Sequence, residues 1–202
     1  FDDSNDADLG YTFSQPQIGK MADGRWAAIF GNGYNNTEAD GSASTSGNAV
    51  LFIVDIETGE LIKKIDTLVG DLATPNGLAT PLIIDSDGDL TIDYMYAGDL
   101  LGNMWKFDVT SANPATWDSD FVSAGTPDPL FTTPAGQPIT SQPQATLHPD
   151  DLGGFMVFFG TGKYVEILDN DPTGQPTQAF YGIWDKNTGS LTPFDSSDLL
   201  DQ

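Results

Sequence analysis

Apolar positions along this chain gather into short runs, and none repeats with the spacing of a helical stripe. Residues 26–30 (Trp-Ala-Ala-Ile-Phe), 92–97 (Ile-Asp-Tyr-Met-Tyr-Ala) and 155–159 (Phe-Met-Val-Phe-Phe) are rich in aromatic and β-branched side chains, and each is closed by a glycine: Gly31, Gly98 and Gly160. Runs of that length with that ending predict strands buried on both faces. Asp55-Ile56-Glu57-Thr58-Gly59 and Asp185-Lys186-Asn187-Thr188-Gly189 predict hairpin turns, because Thr-Gly supplies the positive φ of a tight reversal.

The runs belong to a repeat. Ser14-Gln15-Pro16-Gln17 precedes the first, Ala79-Thr80-Pro81-Leu82 the second and Ser141-Gln142-Pro143-Gln144 the third. After the runs come Phe52-Ile53-Val54-Asp55, Trp105-Lys106-Phe107-Asp108 and Gly182-Ile183-Trp184-Asp185. The prolines recur at nearly even intervals, longer than the roughly 40–50 residues of a compact blade, so the excess falls in loops. Repeated β units with Gly and Trp punctuation predict an all-β propeller of about three four-stranded blades, over approximately residues 11–78, 79–140 and 141–202. A β-sandwich would carry no such repeat. Propellers close with about four to eight blades, so three make an incomplete ring. Its two end faces should be apolar, around Trp26 and Ile29 in copy one and around Phe155 and Trp184 in copy three. Trp26, Trp105 and Trp184 are assigned to packing between blades. Outside the unit lie an acidic, frayed segment at residues 1–10, a small-polar loop at 37–48, and a long excursion at 111–138 pinned by Trp117 or Phe121. Trp117 is the tryptophan free to contact a partner.

Charge narrows the partners. The 202 residues hold 7 Lys plus Arg against 30 Asp plus Glu, a formal net charge of -23. Phosphate backbones and anionic lipid are repelled, so nucleic acid is excluded as a partner. There is no cysteine, hence neither a disulfide nor a thiolate metal site. No apolar run approaches the roughly 20 residues that span a bilayer, so no membrane insertion is expected.

The densest acidic stretch is residues 85–93, Asp-Ser-Asp-Gly-Asp-Leu-Thr-Ile-Asp. Asp85, Asp87, Asp89 and Asp93 occupy loop positions 1, 3, 5 and 9, and with the main-chain carbonyl of Thr91 at position 7 they can wrap Ca2+. It is not an EF-hand: Leu90 stands where Gly would be at position 6 and Tyr96 where Glu would be at position 12. The competing reading is an Asp/Gly turn, in which the four carboxylates would repel one another. Asp169-Asn170-Asp171 offers a second, weaker cation site or a surface turn. Catalysis has little to draw on: His148 is the lone histidine, set in a turn as a solvated imidazole, and no Gly-x-Ser-x-Gly nucleophile turn occurs. Gly31-Asn32-Gly33 and Gly160-Thr161-Gly162 are read as turns rather than phosphate loops. Asn35-Asn36-Thr37 fits a glycosylation acceptor. The chain is therefore read as non-enzymatic.

Several strings together resemble one family. Phe30-Gly31-Asn32-Gly33-Tyr34-Asn35, the acidic loop leading into Tyr96-Ala97-Gly98-Asp99-Leu100 and Trp105-Lys106-Phe107-Asp108, and Phe159-Gly160-Thr161-Gly162-Lys163-Tyr164 are similar to the C-terminal propeller of the PilY1 family, over residues 9–185. The resemblance implies a bacterial type IV pilus biogenesis and adhesion factor at the outer cell surface, whose calcium state regulates pilus extension and retraction. Its partners would be other pilus or cell-surface proteins, or the rest of a parent protein. The family's ligand positions match Asp85, Asp87, Asp89, Asp93 and the Thr91 carbonyl. No Arg-Gly-Asp motif and no large N-terminal region is present, so neither adhesion nor mechanosensing is carried over with them. Two other propeller or surface functions compete: a quinone-dependent dehydrogenase, and a carbohydrate-binding module using Trp117 as its platform.

Overall fold

Three antiparallel sheets follow one another along the chain. The structure, a computed structural model, describes residues 1–38, 41–134, 137–171 and 173–188. The first sheet is a meander of β1 (Gln17–Lys20), β2 (Trp26–Gly31), β3 (Asn48–Asp55) and β4 (Leu61–Gly70), paired in that order. The β3–β4 reversal is built as the sequence predicts: Asp55 Oδ1 accepts from the amides of Glu57 and Thr58, and Gly59 closes the turn at φ 74°. The equivalent turn of the third sheet is described as far as Thr188, with Gly189 outside the described residues.

The second sheet carries β5 (Leu82–Ile84), β6 (Tyr94–Gly98) and β7 (Asn103–Asp108). Its outer place is split between β8 (Asp118–Ser119) and β11 (Phe131–Thr132), both paired to β7. Between those two pieces the chain makes the hairpin β9 (Phe121–Ser123) and β10 (Thr126–Asp128), which is where the residues of the predicted excursion go. The third sheet is β12 (Gln144–Leu147), β13 (Phe155–Gly160) and β14 (Phe180–Asp185). A fourth strand of that copy would fall on residues 189–202, outside the described residues. The architecture is thus an arc of propeller blades that does not close into a ring, with helix limited to the single turns Pro114–Thr116 and Ile167–Asn170 among the described residues.

Each pair of neighbouring blades encloses a core. Met21, Ile29, Leu51 and Ile53 of blade one meet Met95, Trp105, Phe107 and Trp117 of blade two. Tyr96, Met104, Phe131 and Ile139 of blade two meet Phe155, Val157, Phe159 and Ile183 of blade three. β2 and β13 consequently alternate in burial along their length; β3, buried throughout, and most of β6 have both faces covered. The expectation of two-sided burial for the runs at Trp26 and Phe155 is corrected, because the blades beside them cover one face more fully than the other. Trp26 itself is 58% exposed and packs between no blades, whereas Trp105 is fully buried and Trp184 partly so.

The glycines that end the runs mark crossings. A Cβ on Gly31 would lie 2.2 Å from the Leu78 carbonyl oxygen, and one on Gly98 2.2 Å from Ile139 Cγ2, where the chain passes into the next blade. At Gly160 the nearest atom is 3.9 Å away, on Phe180 of the same sheet.

Buried polar side chains tie the blades at defined points. Asn32, fully buried, donates to the carbonyls of Asp8 and Asn48 and accepts from the amides of Val50 and Leu78. Asp99 accepts from the amides of Leu101 and Asn103 and from the side chains of Asn76, Asn103 and Trp105. Lys106 lies fully buried with its Nζ 2.8 Å from Asp120 and 2.9 Å from Asp185, over the Tyr94 ring. Tyr96 donates to the same Asp185 carboxylate at 2.5 Å. Burial and the Asp185 charge push the Tyr96 hydroxyl far above its ordinary range. Asp185 reaches blade two because of its register: it sits opposite Phe155, while Asp55 sits opposite Ala27 and Asp108 opposite Tyr94. Measured from the glycine at the end of each run, that is one residue further along, and one residue turns a strand side chain to the other face.

The acidic N-terminal segment is docked and not frayed. Phe1 packs on Phe30 and Phe52, and Leu9 joins the small cluster of Val50, Phe52 and Val54 on the outer face of blade one. Asp6 and Asp8 converge on Lys64 Nζ at 2.7 and 2.6 Å, and Asp8 also accepts from Ser44 and Ser46 of the small-polar loop. The expected open end face of copy one is therefore covered by the chain itself, and Ile29 points into the core shared with blade two. In copy three Phe155 likewise faces blade two. The face left over carries Met156, Phe158, Phe180 and Trp184, with Phe158 stacked on Phe180 and Phe180 74% exposed.

Candidate functional site

Residues 85–93 connect β5 to β6 at the end of blade two. The loop is anchored at its exit: Ile92 bridges to Met21, its amide donates to the Lys20 carbonyl, and its side chain fills the space above Gly19. The Asp93 amide donates to the Ile84 carbonyl, and its own carbonyl accepts from Val109. From that base the loop rises into solvent.

Within it each acid folds the backbone. Asp85 accepts from the amides of Gly88 at 2.7 Å and Leu90 at 3.0 Å, and Asp87 from that of Asp89 at 3.0 Å. Asp89 accepts from both the amide and the hydroxyl of Thr91, bonds that hold its carboxyl below the usual range. These contacts bring a carboxylate oxygen from each of Asp85, Asp87 and Asp89 within 4.8 Å of one another. Asp93 is buried at the foot of the loop, its Oδ2 accepting from the Ser86 amide at 2.7 Å and hydroxyl at 2.6 Å, and it lines one hollow with Asp87, Asp89 and Thr91. So three of the four acids converge directly, while Asp93 and Thr91 stand beside them.

Two features bear on a cation. None of the ion pairs among the described residues uses Asp85, Asp87 or Asp89, so three anionic groups share a small volume without a salt bridge, Lys20 acting on Asp89 only from a distance. And Leu90 takes φ 70°, the left-handed conformation a glycine would supply at position 6, while remaining 80% exposed. The backbone bends as a calcium loop does at the residue where the sequence departs from that pattern. All-oxygen donors of this kind suit a hard cation such as Ca2+.

The other candidates are accounted for by local structure. Asp169 spends its Oδ2 on the amides of Val165 and Glu166 and faces Lys163. Asp171 caps the Thr173 amide. His148 is half-buried against Trp184, ring centroids 4.5 Å apart, and its Nδ1 accepts from Asp150, which corrects the reading of a freely solvated ring. Trp117 is fully buried in the core between blades one and two, with its Nε1 donating to the Ser111 carbonyl, and offers no sugar platform. In Gly31-Asn32-Gly33 the asparagine is a core pin, as above. Sequence reasoning missed the pinning roles of Asn32, Asp99 and Lys106, which enter it only as members of turn, repeat and family strings.

Taken together, the open arc of antiparallel blades and the acidic loop at one blade end define a β-propeller segment with a candidate cation site. Comparison with known proteins places it further. The model of the PilY1 beta-propeller domain matches residues 2–196. A type IV pilus biogenesis factor PilY1 homolog of Xylella fastidiosa strain Temecula1 is 41% identical over 197 residues, 91% of this chain and 13% of that protein. The type IV pilus biogenesis factor PilY1 of Pseudomonas aeruginosa is 37% identical over 198 residues, 90% of this chain and 16% of that protein. The crystal structure of the Pseudomonas aeruginosa PilY1 C-terminal domain superposes with a TM-score of 0.82 at 32% identity, covering 96% of this chain and 42% of that one. The chain belongs to the PilY1 β-propeller family. It spans 13–16% of the length of these curated relatives. Among the described residues no helix is long and apolar enough to cross a membrane.

Proposed function

We propose that this chain is a calcium-binding propeller segment of a type IV pilus-associated surface protein, one that takes part in pilus biogenesis and adhesion at the outer face of a bacterial cell, adhesion belonging to the whole protein and not to this segment. It acts through protein contacts and not through turnover, with the calcium state of residues 85–93 regulating extension and retraction. The observation that carries the calcium reading is the convergence of Asp85, Asp87 and Asp89 with no salt bridge to any of them among the described residues. Asp93 and the Thr91 carbonyl complete the ligand set from the foot of the loop. Family membership and the names of the matched relatives carry the pilus reading.

Isothermal titration tests it. Calcium should bind with a dissociation constant of about 10⁻⁴ to 10⁻³ M, the range of extracellular modules, and magnesium should not compete, since it gives up water reluctantly. At a hundredfold excess over that constant calcium stabilises the fold by about 2.7 kcal/mol. Asp87→Ala should show no heat and no calcium-dependent rise in Tm. Unchanged binding in that variant refutes the site.

A further inference from the structure

A second site lies at the opposite ends of the strands. The connections that leave β2, β6 and β13 emerge on the side away from residues 85–93, and together with the β4–β5 and β11–β12 connections they enclose a cleft of about 670 Å³. That volume is in the range of ligand pockets. Nothing in the proposed calcium-dependent role uses it.

Its walls have a definite chemistry. Pro75, Pro138 and Pro176, from three different connections, and Leu101, 38% exposed, supply a rigid apolar surface beside the ring of Tyr34. Tyr34 is itself held in place, stacked on Phe13 with centroids 5.5 Å apart and flanked edge-on by Tyr11. Against one cation in the lining, Lys163, stand three acids: Glu38, Glu166 and Asp169. Lys163 is already committed to two of them, at 3.2 Å from Glu166 and 3.5 Å from Asp169. The cleft therefore keeps a net negative charge within a chain of net charge -23.

The same β13–β14 connection also carries Tyr164, Ile167 and Leu168, which are 77%, 88% and 77% exposed, and Phe13, which stacks on Tyr34, is 76% exposed. Large apolar side chains left exposed in the connections that form a cleft mark a surface for protein.

We propose that this cleft binds an extended, proline-containing peptide segment bearing an arginine or lysine. The Tyr34 ring and the proline walls suit a polyproline-type backbone, which loses little conformational freedom on docking, and Glu38, the lining acid that makes no ion pair among the described residues, takes the cation. Charge complementarity selects the sign: an acidic peptide would be repelled by both the cleft and the whole chain.

Fluorescence anisotropy of the full chain with a fluorescein-labelled peptide of sequence Pro-Pro-Leu-Pro-Arg-Leu tests this, with calcium and with chelator, so that failure of the calcium loop and failure of the cleft are separable. Saturable binding is expected in both conditions, weakening as salt rises from about 50 to about 500 mM. Replacing the peptide arginine by glutamate should weaken it at least about tenfold. Glu38→Gln should weaken it by about fivefold, the ceiling for one exposed ion pair. Leu101→Asp should abolish it with unchanged circular dichroism. Should that variant lose its fold, the salt series and the arginine–glutamate peptide pair on the unaltered chain still decide. Equal binding of the two peptides, no saturable binding, or displacement by a neutral oligosaccharide such as cellotetraose overturns the proposal.

Discussion

Leu90 shows how a residue can satisfy a backbone rule its side chain does not fit. A left-handed conformation costs an L-residue roughly 1–2 kcal/mol relative to the right-handed one, and Leu90 holds φ 70° with its side chain in solvent, so no packing offsets the strain. Leu90→Gly should raise stability by up to about 1 kcal/mol, the gain being reduced by the greater freedom of glycine in the unfolded chain. Chemical denaturation without calcium measures it; a loss of stability would mean that the Leu90 side chain makes contacts in solution that the structure does not show. The acids of this loop were legible in the sequence because their spacing is local. Asp99 was not. Its five donors come from residues 76, 101, 103 and 105, and only the fold brings Asn76 to it. Burial pushes its carboxyl above the usual range despite those bonds. Asn32 and Lys106 escaped notice for the same reason: a polar residue in a repeat string gives no sign of which partners the neighbouring blade will supply.

At the level of elements, the strands of the repeat were readable because each is a run with a glycine at its end, and the Asp55 turn because its chemistry lies within five residues. The split outer strand of blade two was not readable, since β8 and β11 are two residues each and take their place from pairing with β7. Nor was the docking of residues 1–10, where an acidic composition suggested fraying and Lys64, more than fifty residues away in sequence, decides otherwise. Burial alone would raise the Asp8 carboxyl, but Lys64, Ser44 and Ser46 outweigh it and hold the carboxyl below its usual range. The depressed folded value fixes the sign: this contribution is present above the unfolded carboxylate value of about 3.9 and is lost as pH falls through the lower folded one. Lys64, by contrast, is raised against its own burial by Asp6 and Asp8, so its contribution holds up to the usual lysine range and fades above it. Protection of the amides of residues 1–10, taken against free-chain exchange at the same pH, should accordingly hold across neutral pH and fall below about pH 4. Lys64→Met should lower it at neutral pH too. Protection unchanged in that variant would assign the docking to Phe1 and Leu9 alone.

Across the whole molecule, the two ends of the arc differ. Blade one wears its own N-terminal segment, and blade three leaves a face on which Phe180 is exposed and Met156, Phe158 and Trp184 are half-buried. An apolar face of that kind is typical of a contact surface. By itself the chain should self-associate through this face in sedimentation analysis, and Phe180→Ser should return it to a monomer. A monomer at all concentrations before substitution would show that the face is harmless in water. The three run-ending glycines then act as a record of what has been assembled. Gly31→Ala and Gly98→Ala drive a methyl group into the next blade's backbone or Ile139 and should each cost about 1–3 kcal/mol. Gly160→Ala meets only the Phe180 ring at 3.9 Å, an ordinary contact, and should be silent here. In any longer protein whose chain continues over blade three as it does over the first two, the same methyl would become as damaging as its two counterparts, so the tolerance of position 160 reads out, from a single substitution, whether the ring has gone on growing past this point.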